Sequence, residues 1–236
     1  TIDEDYYGDF GKQFLSASNI RALTTKPTQY GKFEKSLPLL EGRYFHVSIL
    51  EPEKINTIPV IDLGSRNSKA FKDFCSENKY DSYDVLLSKE KIHLDNMVDS
   101  LLSNLEIYEM INGKDIQYEI PAITMIEDIM FKGKCDILSG TNVFDLKTSS
   151  NVHKFRWSCA EYCYDSQAYI YQTLFNKPMT FIVIDKSTFE TKIANCSPEF
   201  IMSGENKVRK AIKVYKKFFQ DDSKFNINDY IYKEML

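Results

Sequence analysis

The feature that most constrains the fold is a run of three β-rich stretches in the second half of the chain, each of which carries acids. The stretches are IQYEIPAITMIED (116–128), IMFKGKCDIL (129–138) and NVFDLK (142–147), and polar turns divide them. They are rich in the β-branched and aromatic residues typical of strands. Because short turns join consecutive strands, we predict a three-stranded meander here.

The last two stretches carry a set of charged residues suited to phosphodiester chemistry. Asp145 and Lys147 are two residues apart, so they share one face of a strand. The short turn before them would place Asp136 at the neighbouring strand end. Two carboxylates at a strand edge can hold Mg²⁺, which takes oxygen ligands and keeps waters for a substrate phosphate. Lys147 can then orient or help to deprotonate the attacking water and offset developing charge.

The pattern has a second interpretation, which is an ordinary surface ion pair at a strand end. An acid two residues before a lysine occurs elsewhere in this chain by chance, at Glu77–Lys79, Glu190–Lys192, Glu205–Lys207 and Asp222–Lys224. Those four pairs lie in polar stretches, where solvated charge is the expected explanation. Only Asp145 follows an apolar strand that is itself preceded by a Gly-x-x-Asp strand. On the pattern alone, both interpretations stay open.

The order of motifs resembles that of a known nuclease group. GKCDIL…VFDLKTSS looks like the core motif of the PD-(D/E)XK nuclease superfamily, and DSQAYIYQTLF is similar to the Gln-x-x-x-Tyr motif of its RecB-like branch. Upstream, GRYFHVSILEPEKI resembles the histidine-bearing helix of that branch. Its sequence, a Gly, then a His, then LEPE, is most similar to that of the exonuclease VIII (RecE) type of phage and prophage exonucleases. The resemblance extends from about Ser16 to Phe175, with four motifs in the expected order.

The resemblance implies a Mg²⁺ site, with Mn²⁺ as a substitute. Its ligands would be His46, Asp136, Asp145 and the backbone carbonyl of Leu146, with Lys147 as the catalytic lysine. From the residues alone, a single histidine on an apolar helix such as His46 is more often a core or edge histidine.

Further residues take roles by the same resemblance. Glu119 would serve a second metal or the DNA end, although a strand glutamate can equally pair with a surface lysine. Gln167 and Tyr171, one helical turn apart, would brace the site and contact the strand being cut. Many relatives have an arginine near Asp136 where this chain has Lys134-Cys135, so one phosphate or packing contact differs.

The segment after the Asp145 strand supplies candidate phosphate contacts. Lys154 and Arg156 would lie near the site, where cations bind phosphates. The single Trp157 beside them could stack on DNA, but we expect it to pack in the core. The formal net charge of −4 argues mildly against a nucleic-acid binder, but local patches matter more than totals.

The remaining pattern predicts one α/β domain over 1–236, with a PD-(D/E)XK (restriction-endonuclease-like) core in which helices flank a mixed sheet. We expect a loose N-terminal arm over 1–15, a mainly helical region over 16–112 and the catalytic α/β core over 113–220. One longer helix should begin near Ser88 and end before Gly113. The absence of an apolar run of about 20 residues makes a membrane protein improbable.

The cysteines indicate a reducing compartment. There are five, without framework spacing, which predicts a cytoplasmic protein. We expect Cys159 and Cys163 to be core thiols and no iron–sulfur cluster to form. The chain begins at Thr1 and has no signal-peptide pattern, so we expect a trimmed chain or a domain of something longer. Its richness in Lys, Asn, Ile and Tyr suggests an AT-rich genome, such as that of a phage or prophage.

The resemblance implies an exodeoxyribonuclease that degrades linear double-stranded DNA from a free end, 5′ to 3′, and leaves 3′ overhangs for recombination. It also implies a homo-oligomeric ring and a single-strand annealing protein as partner. Two alternatives stay open. One is a RecB-like nuclease acting on single strands, which usually carries an iron–sulfur cluster, and the other is a non-catalytic DNA-binding module on a nuclease fold.

Overall fold

The computed structural model describes residues 2–221 and 223–232, so Thr1 of the expected arm lies outside the described residues. The helices are α1 (Ile2–Tyr7), α2 (Asp9–Lys12), α3 (Ala17–Thr25), α4 (Leu37–Leu50), α5 (Lys69–Asn78), α6 (Ser88–Ser103), α7 (Leu105–Asn112), α8 (Phe155–Tyr162), α9 (Tyr164–Phe175) and α10 (Pro198–Phe218). The strands are β1 (Val60–Ile61), β2 (Leu86–Leu87), β3 (Gln117–Ile126), β4 (Ile129–Leu138), β5 (Val143–Ser149), β6 (Met179–Asp185) and β7 (Thr191–Asn195).

The main sheet is mixed and has the strand order β3-β4-β5-β6-β7. The predicted meander is confirmed, since β3, β4 and β5 pair antiparallel in sequence. β5 and β6 pair parallel from Val143–Met179 to Ser149–Asp185, and α8 and α9 form the crossover between them. β6 then pairs antiparallel with β7. A small parallel pair of β1 and β2 was not predicted, because these strands are too short for a periodic signal.

Helices cover both faces of this sheet, as the sequence predicted. One hydrophobic cluster joins α3, α9 and α10 to one face, and a second cluster joins α4, α6 and α7 to the other. Strand β6, which lies between β5 and β7, shows the arrangement most clearly. Phe181 and Val183 pack in the first cluster, whereas Ile182 and Ile184 pack in the second. A strand buried on both faces requires a continuous apolar run, which explains why MTFIVI does not alternate.

Two predicted elements are wrong in detail. The arm expected to be loose forms the two short helices α1 and α2. After them, the Leu15 N–H donates to the Met130 carbonyl at 3.1 Å, and the Leu15 carbonyl accepts the Lys132 N–H at 2.8 Å, so the segment is fixed along β4. The helix expected from Ser88 to before Gly113 is broken at Asn104, whose side chain accepts the Ile107 N–H at 3.1 Å and begins α7. A capping hydrogen bond of this kind starts a new helix where the apolar period alone suggests continuity.

Across the described residues, no helix is both long and apolar enough to span a bilayer.

The parallel strands end at a buried carboxylate that fixes the following turns. Asp185 accepts the N–H groups of Ser187 (2.8 Å), Val152 (2.9 Å) and Thr188 (3.0 Å). Although burial opposes its charge, these backbone hydrogen bonds hold the pKa of Asp185 below its ordinary value. The carboxylate therefore ties the β6–β7 turn to the segment that follows β5.

We expect Asp185→Asn to lower the free energy of unfolding by about 1–3 kcal/mol, because buried N–H groups lose a charged acceptor. The lowered pKa means that this contribution is complete above the unfolded pKa, about 3.9, and is lost as pH falls through the folded pKa. Urea unfolding of parent and variant at several pH values checks this. A difference that stays constant from neutral pH down to well below pH 4 would contradict the assignment.

Candidate active site

The site lies in a fork between two strands. β4 and β5 pair at Ile137–Phe144 and Leu138–Val143. The next positions in this register are Asp136 and Asp145, where the strands have parted. Both residues are buried, with exposed fractions of 8% and 2%. The fold therefore brings together the two carboxylates that the sequence placed at neighbouring strand ends.

The strand that carries Asp136 changes face at this residue. Residues two apart on a strand normally share a face, yet Cys135 packs with the α9 layer and Ile137 with the α4 layer. The ladder between β3 and β4 skips the pair Glu119–Asp136, and Glu119 has a left-handed φ of 53°. Such strained positions cluster at functional sites. As a result, Asp136 lies where side chains from both helical layers can meet.

From the α4 layer, His46 reaches the fork. The Leu146 N–H donates to Asp136 Oδ2 at 2.7 Å, and His46 Nε2 lies 2.8 Å from the Leu146 carbonyl oxygen. His46 Nε2 is also 3.5 Å from Asp136 Oδ2. In the Leu146 contact the imidazole carries its proton on Nε2. As a metal ligand it would carry that proton on Nδ1 instead.

From the α9 layer, Gln167 and Lys147 hold the second carboxylate. Gln167 Nε2 donates to Asp145 Oδ1 at 2.5 Å, and the Lys147 ammonium forms an ion pair with Oδ2. Apart from this ion pair, Asp145 Oδ2 has no hydrogen-bond partner among the described residues. The Lys147 Nζ lies 5.1 Å from the ring centroid of Tyr164 and 6.0 Å from that of Phe181. These aromatic faces fix the direction of the buried ammonium group.

The two carboxylates of the fork repel each other, and the neighbouring cations offset this repulsion only in part. Burial raises the pKa of Asp136 above its ordinary value and Asp145 raises it further, against the opposing effects of His46 and Lys147. Burial lowers the pKa of Lys147, but the charges of Asp145 and Asp136 outweigh burial and raise it overall. A divalent cation between the carboxylates would relieve this repulsion.

The donor set fits such a cation in both chemistry and spacing. Within the described residues no three His, Cys, Asp or Glu side chains are grouped tightly enough to hold a metal unaided. The fit requires the Leu146 carbonyl. It lies 2.8 Å from His46 Nε2, which lies 3.5 Å from Asp136 Oδ2, and adjacent ligands of an octahedral ion stand about 3 Å apart. Oxygen donors suit Mg²⁺, and the added imidazole suits Mn²⁺.

Tyr171 and Glu119 support the strand that carries Asp136. The Tyr171 hydroxyl donates to the Lys134 carbonyl at 3.0 Å, and the Glu119 carboxylate forms an ion pair with the Lys134 ammonium. Gly133 makes room for this brace, since a Cβ there would lie 2.9 Å from the Tyr171 ring. Burial raises the pKa of Glu119, and Lys134 opposes that rise. Contact of Gln167 and Tyr171 with nucleic acid, and a second metal at Glu119, stay predictions.

Comparison with protein families assigns the chain. The family described as PDDEXK-like domain of unknown function (DUF3799) matches residues 10–226. The chain belongs to this family. Membership in this PDDEXK-like family accounts for the mixed sheet flanked by helices, as the sequence analysis anticipated.

One solved structure shares the fold of this chain. The crystal structure of a protein from Eubacterium rectale, described as a candidate exonuclease, is similar with a TM-score of 0.67 and 15% identity, over 99% of this chain and 94% of that one. A phage-related exonuclease from Haemophilus somnus 129PT matches with 12% identity over 86% and 93% of the two chains. Its TM-score of 0.36 is too low to indicate a shared fold. Comparison with curated proteins gives no significant match.

In this PDDEXK-like chain the segment after β5 departs from the prediction at Trp157, which is exposed. Lys154 and Arg156 are exposed, and their contact with phosphate stays a prediction. Trp157 does not pack in the core, because 74% of its side chain is exposed. α8 turns its buried face, with Phe155 and Cys159, toward the sheet. Trp157 therefore lies on the solvent side of a short helix whose apolar period is too brief to predict.

Sequence reasoning missed Tyr164, which packs against the catalytic lysine candidate. Burial raises the pKa of Tyr164, and the nearby Lys147 charge opposes that rise. The signal was present in the spacing, since Tyr164, Gln167 and Tyr171 recur at intervals of three and four residues on α9. The same spacing is equally typical of residues that only pack in the core. The contact of Tyr164 with Lys147 is therefore evident only from the structure.

Proposed function

We propose that this protein is a Mg²⁺-dependent exodeoxyribonuclease that degrades linear double-stranded DNA. The observation that carries the proposal is the convergence of Asp136, Asp145 and Lys147 in one buried fork, with the Leu146 carbonyl and His46 at ligand spacing. A structural domain gains nothing from burying two acids opposite each other, because each raises the cost of charging the other. The family assignment and fold agree with nuclease chemistry.

Each residue has a definite task in this proposal. Asp136, Asp145, His46 and the Leu146 carbonyl would hold the metal, which when bound polarises the phosphate and lowers the pKa of a water. Lys147 would orient the attacking water and offset charge on the phosphate, with Gln167 keeping Asp145 in place. Tyr171 would keep β4 in register, and Glu119 would face the DNA end or a second metal. Lys154 and Arg156 would contact phosphates next to the cut.

The direction of digestion and the assembly are finer parts of the proposal. The motif order resembles exonucleases of the RecE type, which supports 5′ to 3′ digestion, 3′ overhangs, a ring of identical chains and transfer to a single-strand annealing protein. A ring would also concentrate cations around the DNA despite the net charge of −4. A cytoplasmic setting in a phage- or prophage-carrying bacterium suits these partners.

Digestion of end-labelled DNA tests the activity and its direction. A linear duplex with a 5′ phosphate is labelled separately at each end and incubated with Mg²⁺, with Mn²⁺ or with EDTA. We expect loss of 5′-terminal nucleotides with either metal and no loss with EDTA, because the carboxylates bind substrate phosphate only through a cation.

A covalently closed circle of the same sequence serves as the control for the need of a free end. Release of 3′-terminal nucleotides would contradict the proposed direction. Digestion of single strands but not of duplex would favour the single-strand nuclease. If no DNA is cut under any of these conditions, the catalytic proposal fails and the non-catalytic module replaces it.

A further inference from the structure

The exposed Trp157 belongs to a distinct surface beside the active site. Arg156 lines a cavity of about 470 Å³ between α8, the β6–β7 pair and the start of α10. Phe181 forms part of the inner wall of this cavity, and the centroid of its ring is 6.0 Å from Lys147 Nζ. One aromatic ring therefore separates the cavity from the candidate catalytic lysine.

Two cations close to Trp157 in sequence have no protein partner among the described residues, whereas Lys192 in the cavity lining donates to the Val152 carbonyl at 2.8 Å. Across residues 2–221 and 223–232, no hydrogen bond or ion pair engages the side chains of Lys154 and Arg156. Two acids lie nearby. Glu161 pairs with Arg21 at 3.4 Å. Glu199 lines the cavity, and hydrogen bonding at the start of α10 lowers its pKa. The surface can therefore accept an anion without displacing an internal ion pair.

The aromatic side chain adds a second kind of contact. A large indole that is 74% exposed offers an open π-face, on which a nucleic-acid base can stack. Bases in a duplex are covered by their neighbours, so an unpaired base fits this face better. A cavity of this size is also within the range that holds a nucleotide-sized group.

We propose that Arg156, Trp157 and the adjoining cavity bind single-stranded nucleic acid next to the cleavage site, with a base on the indole and a phosphate on the guanidinium. This inference rests on the proposed nuclease function and adds a single-strand surface to it. A duplex opened at its end would place one separated strand here, while the other strand enters the fork of Asp136 and Asp145.

The chain contains one tryptophan, so its fluorescence reports on this surface directly. Oligothymidylate of twelve nucleotides is added to the full chain in EDTA, with excitation beyond the tyrosine band. We expect saturable quenching of Trp157 fluorescence that weakens as salt rises, since phosphate contacts release counterions. By anisotropy of a labelled oligonucleotide, Trp157→Ala should weaken binding about 5- to 100-fold. Trp157→Phe, which keeps an aromatic face, should restore most of the affinity.

Two controls separate stacking from general charge and from loss of folding. Phe33→Ala removes an aromatic residue of similar exposure, 77%, that is neither part of α8 nor next in sequence to a residue that lines the cavity, and should leave both signals at the parent level. An abasic oligonucleotide of the same length keeps the phosphates and should bind the parent as weakly as oligothymidylate binds Trp157→Ala. Equal binding of the abasic and normal oligonucleotides, or parent-like binding by Trp157→Ala, would overturn the inference.

End-labelled duplex digestion with the same preparation distinguishes this inference from the proposed function. If the protein cuts DNA but its fluorescence does not respond to the oligonucleotide, the single-strand surface is wrong and the nuclease function stands. If the fluorescence responds and no DNA is cut, the surface stands as a binding site and the nuclease function is wrong.

Discussion

Replacing Lys147 with alanine is expected to lower the rate of duplex digestion about 100- to 1,000-fold, the usual effect of removing one preorganised group that stabilises developing charge. Lys147 forms an ion pair with Asp145, lies between two aromatic rings and has a side chain that is only 16% exposed. Because its position is fixed before substrate arrives, no reorganisation is needed during the reaction. Initial rates at saturating Mg²⁺ on end-labelled duplex measure the effect.

The same substitution leaves Asp145 buried without its cation, which costs about 3–5 kcal/mol in comparable buried pairs. Rates must therefore be compared well below the unfolding midpoint of the variant, with folding verified by circular dichroism. Lys177→Ala is a matched control. This lysine donates to the Ser139 carbonyl at 2.9 Å in the β4–β5 turn, so its loss affects the same strand pair without touching the fork. A folded Lys147→Ala variant that digests DNA at the parent rate would refute the catalytic assignment.

The second large effect is expected for metal-induced stabilisation of the fold. Mn²⁺ at about 100 times its dissociation constant should stabilise the parent by roughly 2.7 kcal/mol. For a chain of this size, that shift raises the unfolding midpoint by about 5–10 °C. Asp136→Asn should lose the shift, because the amide keeps an oxygen for the Leu146 N–H but no longer carries the charge that binds the ion. Thermal unfolding followed by circular dichroism in EDTA and in Mn²⁺ measures both.

Without metal, Asp136→Asn should unfold at or above the parent midpoint. Burial and the neighbouring Asp145 both raise the pKa of Asp136, so its charge is unfavourable in the folded protein until a cation arrives. Asp185→Asn is the matched control. Asp185 is also buried in the same sheet, at the end of β6, but among the described residues it bonds backbone N–H groups and Thr188. That variant should have a lower midpoint and keep the Mn²⁺ shift. A full Mn²⁺ shift in Asp136→Asn would exclude Asp136 as a ligand.

Most of the secondary structure follows from local pattern, and the exceptions have local causes. The meander and α10 have apolar patterns long enough to identify, and β6 is recognisable as a continuous apolar run. The break between α6 and α7 depends on one capping side chain, Asn104, within an unbroken apolar pattern. The N-terminal helices are short and polar, so contacts with β4 are needed to hold them in place. In one such contact, the ring centroid of Tyr6 lies 4.3 Å from Lys132 Nζ. Local pattern cannot supply such distant contacts.

The chemistry of the site divides in the same way. The sequence alone determined that Asp145 and Lys147 share one face of a buried strand, because side chains alternate along a strand. Tertiary structure decided what surrounds them. Asp136 faces the fork only because the β3–β4 ladder skips it opposite Glu119, and His46 reaches Leu146 across 100 residues only because α4 packs on that face of the sheet. The exposure of Trp157 likewise depends on which side of α8 the sheet covers. Periodicity assigns residues to faces, but which faces meet is decided by packing between elements distant in sequence.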